Sequence, residues 1–431
     1  KLRYGDHQSP ITTKFMMKKG QPTIEGELEF KGIQLGEFSK LFIDDPVISN
    51  INLPLSGNCL VSISTDGRLH WLNFAVNSGA GQVHSDHLTA PLDIDWANVQ
   101  GQIGEDAKIF QINRLSASIK NMVLSGSGVA ALKDGDVAIR SNVGIKGVPG
   151  ENLPLLWPPA LAPQTREWVI ANITGGMVTE ASVRTDIQFG DLAKPMLSKE
   201  AIDANIHLEG AKIRYLPEHP EVTNVVSDIH INGMELEAAI ISAEYLRDTK
   251  ISNGKLYIEN INLDNPYIKI DMDTKASAKD IAHFLGLPRL KHAGRLNIKE
   301  NEIEGNVKGH AMVGFYFFAP HDEAGNPTDE GDVDFDVNAE VENISQPGFM
   351  NKFDVKNASG TIHVDNKEIL YKGKGAVNGA TMGDSEIKYL FTPENGFDTF
   401  LAVNTHAPVS VLPRFGYPKF AFLDGALGVK A

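Results

Sequence analysis

Cysteine, positive charge and long apolar runs are all scarce in this 431-residue chain. The single cysteine, Cys59, excludes an intrachain disulfide and any metal cage built from several thiolates. Acidic residues outnumber basic ones by 55 to 40, and the resulting net charge of -15 argues against a phosphate-binding surface and therefore against nucleic acid as a partner. No apolar run approaches the roughly 20 residues that a transmembrane helix needs.

The two ends of the chain indicate an internal fragment of a longer protein. The sequence that begins at Lys1 does not match a signal peptide, and Ala431 lies inside a sequence pattern that recurs along the chain. In that pattern a short helical or proline-rich segment is followed by a strand that begins at a glycine. Successive glycines of this kind are roughly 120 residues apart. These glycines are Gly57, Gly175, Gly294 and Gly425. We therefore expect large β units over residues 1–150, 151–319 and 320–431.

The dominant sequence period is two, the spacing at which successive side chains take opposite faces of a sheet. Residues 332–341 alternate between polar and apolar without interruption, and residues 267–273 do the same. Pairs that favour tight hairpin turns lie between such segments: Glu209-Gly210, Asn232-Gly233, Asn253-Gly254 and Asp365-Asn366. The pattern predicts antiparallel strands that follow one another along the chain.

Helical signals are few. A capping serine and apolar residues at helical spacing predict a helix over Ser277–Gly286, and weaker signals predict helices over Gly36–Phe42 and Gln164–Ile170. The polar stretch Pro320–Gly331 predicts an exposed loop. The fold class that follows is mostly β, an elongated and repetitive antiparallel sheet with a few short capping helices. Strand pattern alone leaves open whether the apolar faces close into a sandwich core or curl into an apolar groove.

Motifs that would carry chemistry are not found. Ser125-Gly126-Ser127-Gly128 lacks the arrangement of a nucleophile elbow, and His84–His87 is better explained as a solvated turn than as a metal site. Asp332, Asp334 and Asp336 resemble the start of a calcium loop, but the glycine and distal glutamate are missing. The four tryptophans are interpreted as core or seam residues. We expect no enzyme activity, no cofactor and no metal.

An ordered series of short motifs begins near Leu153 and continues to about Ala319. The motifs are Leu155-Leu156-Trp157-Pro158, Thr165-Arg166-Glu167-Trp168-Val169, Gly175-Gly176-Met177-Val178, Ile213-Arg214-Tyr215-Leu216-Pro217-Glu218-His219-Pro220, Val225-Val226-Ser227-Asp228-Ile229, Leu256 to Leu263, and a helix ending at Leu287-Pro288. In this order they resemble the central domain of YhdP-like proteins in the AsmA superfamily of large bacterial envelope proteins. The flanking segments resemble looser repeats of the same superfamily.

The resemblance implies a bridge-like lipid carrier in the periplasm of a Gram-negative bacterium. Its implied partners are phospholipid, the inner membrane through an N-terminal anchor outside this fragment, and outer-membrane proteins. Its implied role is to move phospholipid between the two membranes through a hydrophobic β groove, which supports outer-membrane biogenesis and barrier integrity. A structural or regulatory scaffold for outer-membrane assembly that carries no lipid remains the alternative. A polysaccharide-active enzyme ranks last, because paired carboxylates and exposed aromatics are not evident.

Candidate lining residues of the groove are the apolar positions of the strands with the clearest alternation. They are Ile206, Leu208, Ile213, Tyr215, Ile229, Ile231, Leu256, Ile258, Ile268, Ile270, Val333, Phe335, Val337, Ile362 and Val364.

Overall fold

The structure is a computed structural model. It describes residues 2–4, 7–9, 11–34, 50–84, 90–104, 107–157, 159, 163–194, 197–215, 219–261, 263, 265–286, 296–316, 333–415, 418–419 and 425–430. Several features discussed above lie outside the described residues: the helix over Gly36–Phe42, Ser85–His87, Leu287-Pro288, Gly294, the loop over Pro320–Gly331, and Asp332.

The chain divides into two compact units. The first comprises Lys1–Ala211, Asp228–Leu236 and Asn260–Asn262, and the second comprises Lys212–Ser227, Glu237–Glu259 and Leu263–Ala431. The three segments predicted from the recurring sequence pattern stay a prediction.

The described strands up to residue 213 begin with a two-stranded sheet, β1 with β2, and continue into a long antiparallel sheet. In the first unit β3, β4, β6, β7, β9, β10, β11, β12, β14 and β15 pair in that order. Their bounds are β1 Leu2–Tyr4, β2 His7–Ser9, β3 Ile11–Met17, β4 Thr23–Gln34, β5 Ile51–Asn52, β6 Pro54–Ser64, β7 Leu69–Ser78, β8 Gly81–Val83, β9 Leu92–Gly104, β10 Ile109–Ile119, β11 Met122–Lys133, β12 Asp136–Pro149, β13 Ile173–Thr174, β14 Met177–Ile187 and β15 Ile202–Ile213.

The remaining described strands run from residue 222 to residue 430. In the second unit β18 to β25 pair in chain order, and β26 pairs with both β24 and β27. Their bounds are β16 Val222–Asn232, β17 Glu235–Tyr245, β18 Thr249–Ile258, β19 Tyr267–Ser277, β20 Glu304–Tyr316, β21 Val333–Phe349, β22 Phe353–Asp365, β23 Glu368–Val377, β24 Ala380–Glu394, β25 Phe397–Ala402, β26 Asn404–Pro408 and β27 Ala426–Lys430.

Helices are short and few among the described residues. The α-helices are α1 Leu153–Leu156, α2 Pro163–Asn172 and α3 Ala278–Leu285, and 3-10 turns occur at Gly150–Asn152, Asp191–Ala193, Lys199–Ala201 and Val409–Phe415. Within the described part of the chain, none of the helices has the length and apolarity that a bilayer crossing would require. The predicted fold class, mostly β with a long antiparallel sheet and a few short helices, is confirmed, as are the two predicted helices that fall on described residues.

Two of the predicted turns are wrong. Asn232-Gly233 and Asp365-Asn366 do separate consecutive strands, but Glu209-Gly210 and Asn253-Gly254 lie inside β15 and β18. Asn253 has a φ of 49° where the register with β19 shifts between Ser252 and Lys255. Some β-bulges and the commonest two-residue hairpin turns both use a residue with positive φ, so the dipeptide alone did not distinguish them.

The buried core is thin. Alanine is the commonest buried apolar residue in the described part of the chain, and the fully buried side chains larger than alanine there are Met122, Val148 and Asp280. In a sheet sandwich, large side chains of two facing layers bury one another. Here the small side chains, which lie close to the backbone, are covered, whereas most large apolar side chains of the strands are only half-buried. The described residues therefore fit a single sheet layer better than a closed sandwich.

Helix α3 is held to the second unit by a buried carboxylate. The Ser277 hydroxyl accepts a hydrogen bond from the Asp280 amide and caps the helix. The Asp280 carboxylate accepts hydrogen bonds from the Asp248 amide at 2.9 Å, Arg247 Nε at 3.0 Å and the Thr249 hydroxyl at 3.1 Å. Burial would raise the pKa of Asp280, but these donors together outweigh it and hold that pKa below its usual value.

We expect Asp280→Ala to destabilise the second unit by about 2–4 kcal/mol, because the Asp248 amide and the buried Thr249 hydroxyl would lose their acceptor. Asp280→Asn, which keeps one acceptor oxygen, should cost less. Urea unfolding monitored by circular dichroism measures both. Folding lowers the pKa of Asp280, so the ionised carboxylate stabilises the fold at every pH above the ordinary aspartate pKa. This stabilisation is lost as pH falls through the pKa of Asp280 in the folded protein. Equal stability of the wild type and Asp280→Ala would contradict this role.

Candidate functional site: an apolar sheet face

The strand register of the second unit places apolar side chains on one face across eight strands. Ile268 lies opposite Phe315, and Phe315 opposite Val333. Residues directly opposite in a ladder share a face of the sheet. We call this the second-unit apolar face; its larger members are Leu256, Ile258, Ile268, Ile270, Val313, Phe315, Val333, Phe335, Val337, Ile362, Val364, Ile369, Tyr371, Ile387, Tyr389 and Leu401.

The first unit repeats the arrangement. Ile145 on β12 lies opposite Leu124 on β11 and Ala181 on β14, and Ala181 lies opposite Ile206 on β15. We call this the first-unit apolar face; its members include Leu28, Cys59, Val61, Leu72, Phe74, Val76, Val99, Ile103, Ile112, Leu115, Leu124, Val143, Ile145, Val183, Ile206 and Leu208. Apolar residues alternate with polar ones along each strand, which is why the two faces differ so clearly.

Fourteen of the fifteen candidate lining residues fall into three groups. Nine of them, Leu256, Ile258, Ile268, Ile270, Val333, Phe335, Val337, Ile362 and Val364, lie on the second-unit apolar face. Ile206 and Leu208 lie on the first-unit apolar face, opposite Ala181 and Val178. Ile229 and Ile231 are half-buried at alternate positions of β16, and Ile213 is half-buried at the end of β15.

Tyr215 lies beyond the end of β15 and belongs to an aromatic cluster. Its hydroxyl is 2.9 Å from His219 Nδ1 and 3.4 Å from the Tyr245 hydroxyl. The ring of Phe284, on α3, meets the rings of His219 and Tyr245 edge to face. Burial, with a contribution from Tyr245, raises the pKa of Tyr215. In the structure Tyr215 therefore helps to hold α3 in place, and is not a strand residue as the alternation had indicated.

Sequence reasoning missed much of both apolar faces. The members on β20, β23 and β24 were not proposed, nor was any residue of the first-unit face before β15. The same alternation runs through these strands, as in Leu72, Phe74 and Val76 on β7. Glycines interrupt the apolar pattern, as Gly101 and Gly309 do within β9 and β20, and so weaken the signal.

The sequence of this chain matches the model of a known protein family. The model of a family described as YhdP protein matches residues 57–427. The chain belongs to the YhdP family. No curated protein and no solved structure gives a significant match. The YhdP family match extends well beyond the segment near residues 153–319 that carried the resemblance, and it covers most of both apolar faces.

The YhdP family is a family of the bacterial cell envelope. What the faces of this family member can do chemically follows from their composition. They carry apolar side chains that are mostly half-buried, with internal pairing of polar groups such as the Ser141 and Thr185 hydroxyls at 2.8 Å. Contact with another apolar group would remove more of this surface from water, which the hydrophobic effect favours.

The opposite side of the second unit in this YhdP family member is charged. A cavity of about 910 Å³ is lined by lysines of this side, among them Lys250 and Lys372, and also by Ala339 and Ile362 of the apolar side. Lys250 pairs with Glu244 and Lys372 with Glu386, so carboxylates balance much of the positive charge. We interpret this side as the solvated face of the sheet, since these paired charged side chains are exposed. Exposed ion pairs of this kind contribute little to stability.

One histidine of the charged side offers a pH measurement. His310 Nδ1 lies 3.0 Å from Asp273 and Nε2 lies 3.3 Å from Asp271. The hydrogen bond to Asp273, with the charge of both carboxylates, raises the pKa of His310. We expect an NMR titration midpoint above 6.5 that falls in Asp273→Asn. Protonated His310 stabilises the folded protein through these carboxylates, and this stabilisation is complete below the pKa of histidine in the unfolded chain. It is lost as pH rises through the pKa of His310 in the folded protein. A midpoint at or below 6.5 would contradict the geometry.

Proposed function

We propose that this chain carries phospholipid through the periplasm of a Gram-negative bacterium, with acyl chains lying along the apolar faces. In this proposal the parent protein is anchored in the inner membrane by an N-terminal segment. Movement of phospholipid between the inner and outer membranes would then support outer-membrane biogenesis and barrier integrity.

The observation that carries the proposal is an apolar face that persists from strand to strand in each unit while most of its large side chains stay half-buried. Contiguous exposed apolar surface of more than a few hundred Å² normally marks a binding site in a soluble protein. Hydrocarbon over the face would complete its burial. The thin core among the described residues favours this reading over a closed sandwich.

The energy of lipid transfer explains why such a face is useful. Two acyl chains of about sixteen carbons each, at about 0.8 kcal/mol per methylene, cost on the order of 25 kcal/mol to move from a bilayer into water. A face that stays apolar from strand to strand avoids most of that cost. The chemistry needs no nucleophile, metal or proton donor, only an apolar surface along which the free energy changes little.

The test is native mass spectrometry with lipid extraction on the whole chain, expressed in a Gram-negative periplasm and purified without detergent. We expect bound phospholipid, which detergent washing removes and added phospholipid vesicles restore. A lipid-free protein that takes up no lipid from vesicles would overturn the proposal. The non-transporting scaffold for outer-membrane assembly would then be the better account.

A further inference from the structure

One part of the polar side of the first unit carries no charged side chain, although Glu25, Glu27 and Glu29 on β4 and Arg114 on β10 border it. Residues 54–64, 71–78 and 96–104, which form most of β6, β7 and β9, contain no Asp, Glu, Lys or Arg. The outward side chains there are mostly amides, together with two tryptophans and Leu60, which is 45% exposed. We call the amides and the tryptophans the amide face: Asn58, Asn73, Asn77, Asn98, Gln100, Gln102, Trp71 and Trp96, all of them exposed.

The register fixes the layout of the amide face. Trp71 lies opposite Gly104 on β9, and Trp96 lies eight residues before Gly104 on the same strand, about 26 Å away at about 3.3 Å per residue. Asn73 pairs with Gln102 and Asn77 with Asn98, so the amides fill the space between the two indoles.

Both indoles have room beside them. Trp71 is 38% exposed and Trp96 39% exposed, which corrects their interpretation as core or seam residues. A Cβ added at Gly104, opposite Trp71, would meet a single atom, the His70 carbonyl oxygen, at 3.9 Å. The residue opposite Trp96 is Ser118, which is small but buried. The exposed part of each indole is therefore the surface on which a ligand could stack.

The amides are positioned for hydrogen bonding along the sheet. Gln102 Nε2 donates to Gln111 Oε1 at 2.9 Å, and Gln111 Nε2 donates to Asn113 Oδ1 at 2.6 Å. Each amide has both donor and acceptor atoms, so it matches a hydroxyl group, which also donates and accepts. Anionic ligands would instead call for Arg or Lys, which these three strand segments lack.

We propose that the amide face binds an extended neutral glycan, with sugar rings stacked on Trp71 and Trp96 and sugar hydroxyls bonded to the intervening amides. A protein partner would call for a contiguous apolar centre with a polar rim. Here the two indoles are separated, and the groups between them are mostly polar amides, with Leu60 beside Asn73. The glycan would lie on the side of the sheet away from the first-unit apolar face, so this inference does not depend on lipid transport.

The experiment titrates the whole chain with chitohexaose, cellohexaose and maltohexaose, and with heparin as an anionic comparison. Tryptophan fluorescence and calorimetry report binding. At least one neutral oligosaccharide should bind, with an affinity that changes little between about 0.05 and about 0.5 M salt. Trp71→Ala/Trp96→Ala should weaken it about tenfold or more, because ring stacking would be lost. Asn98→Ala/Gln100→Ala, which keeps both indoles, should weaken it less.

The matched control is Met312→Ala, since Met312 is 49% exposed on the polar side of the second unit. It should leave glycan affinity unchanged, and all variants should keep the wild-type circular dichroism spectrum and bound lipid. The proposal is overturned if none of the neutral oligosaccharides binds, or if the double tryptophan variant binds them as tightly as the wild type. It is also overturned if only heparin binds and added salt abolishes heparin binding. Loss of lipid without loss of glycan binding would count against the proposed function only.

Discussion

Ile362→Asp should reduce the phospholipid bound to the purified chain by about tenfold or more. Ile362 lies on the second-unit apolar face between Ala339 and Tyr371. An ionised carboxylate there would have to be desolvated by the acyl chains, which costs at least about 2 kcal/mol, and each 1.4 kcal/mol is a factor of about ten in binding. Native mass spectrometry with lipid extraction measures the change.

The matched control is Thr361→Asp. Thr361 is the neighbouring residue on β22, but it is exposed on the polar side between Glu340 and Lys372. The same charge is added to the same strand, so a general effect of charge or solubility would appear in both variants. Equal lipid loss in the two variants, with both folded, would count against a role for the apolar face.

Met122→Ala should destabilise the first unit by about 2–5 kcal/mol, the largest stability effect we expect from removing one apolar side chain. Met122 is fully buried and lies opposite Ile119. Few large side chains in the described residues are so enclosed. The side chains around Met122 therefore have few buried partners with which to fill the cavity that Met122→Ala would leave. Equilibrium urea unfolding gives the difference in free energy of unfolding.

Two comparisons sharpen this measurement. Val123→Ala, one residue further along β11, changes a side chain that is 48% exposed and should stay within about 0.5 kcal/mol of the wild type. Ile362→Ala, on a half-buried position, should cost clearly less than Met122→Ala. If Ile362→Ala were as damaging as Met122→Ala, the apolar face would be a closed core and the single-layer account would be wrong.

The sequence alone predicts the strands well, because segments in which polar and apolar residues alternate form strands with one apolar face. Residues 333–341 of the predicted alternation lie in β21, and the predicted capping residue Ser277 caps α3. Turns and bulges were confused, as at Asn253-Gly254, because positive φ serves both.

The tryptophans show a different kind of error. Size and apolarity suggested a core position for Trp71 and Trp96, but alternation with Leu72 and Ala97 places them on the polar side. The strand period was therefore the better guide than residue type. What the sequence could not give is the extent of burial, because a half-buried face and a closed core share one pattern. That difference separates a carrier from a scaffold.

The central claim is that lipid acyl chains contact one face of the sheet, and a photo-crosslinking scan along β21 tests it directly. A photoreactive amino acid is placed in turn at each position from 333 to 341 in the chain as expressed in the periplasm. The account predicts phospholipid adducts at Val333, Phe335, Val337, Ala339 and Val341, and none at the intervening positions. Adducts at all positions alike, or adducts to protein alone, would contradict it.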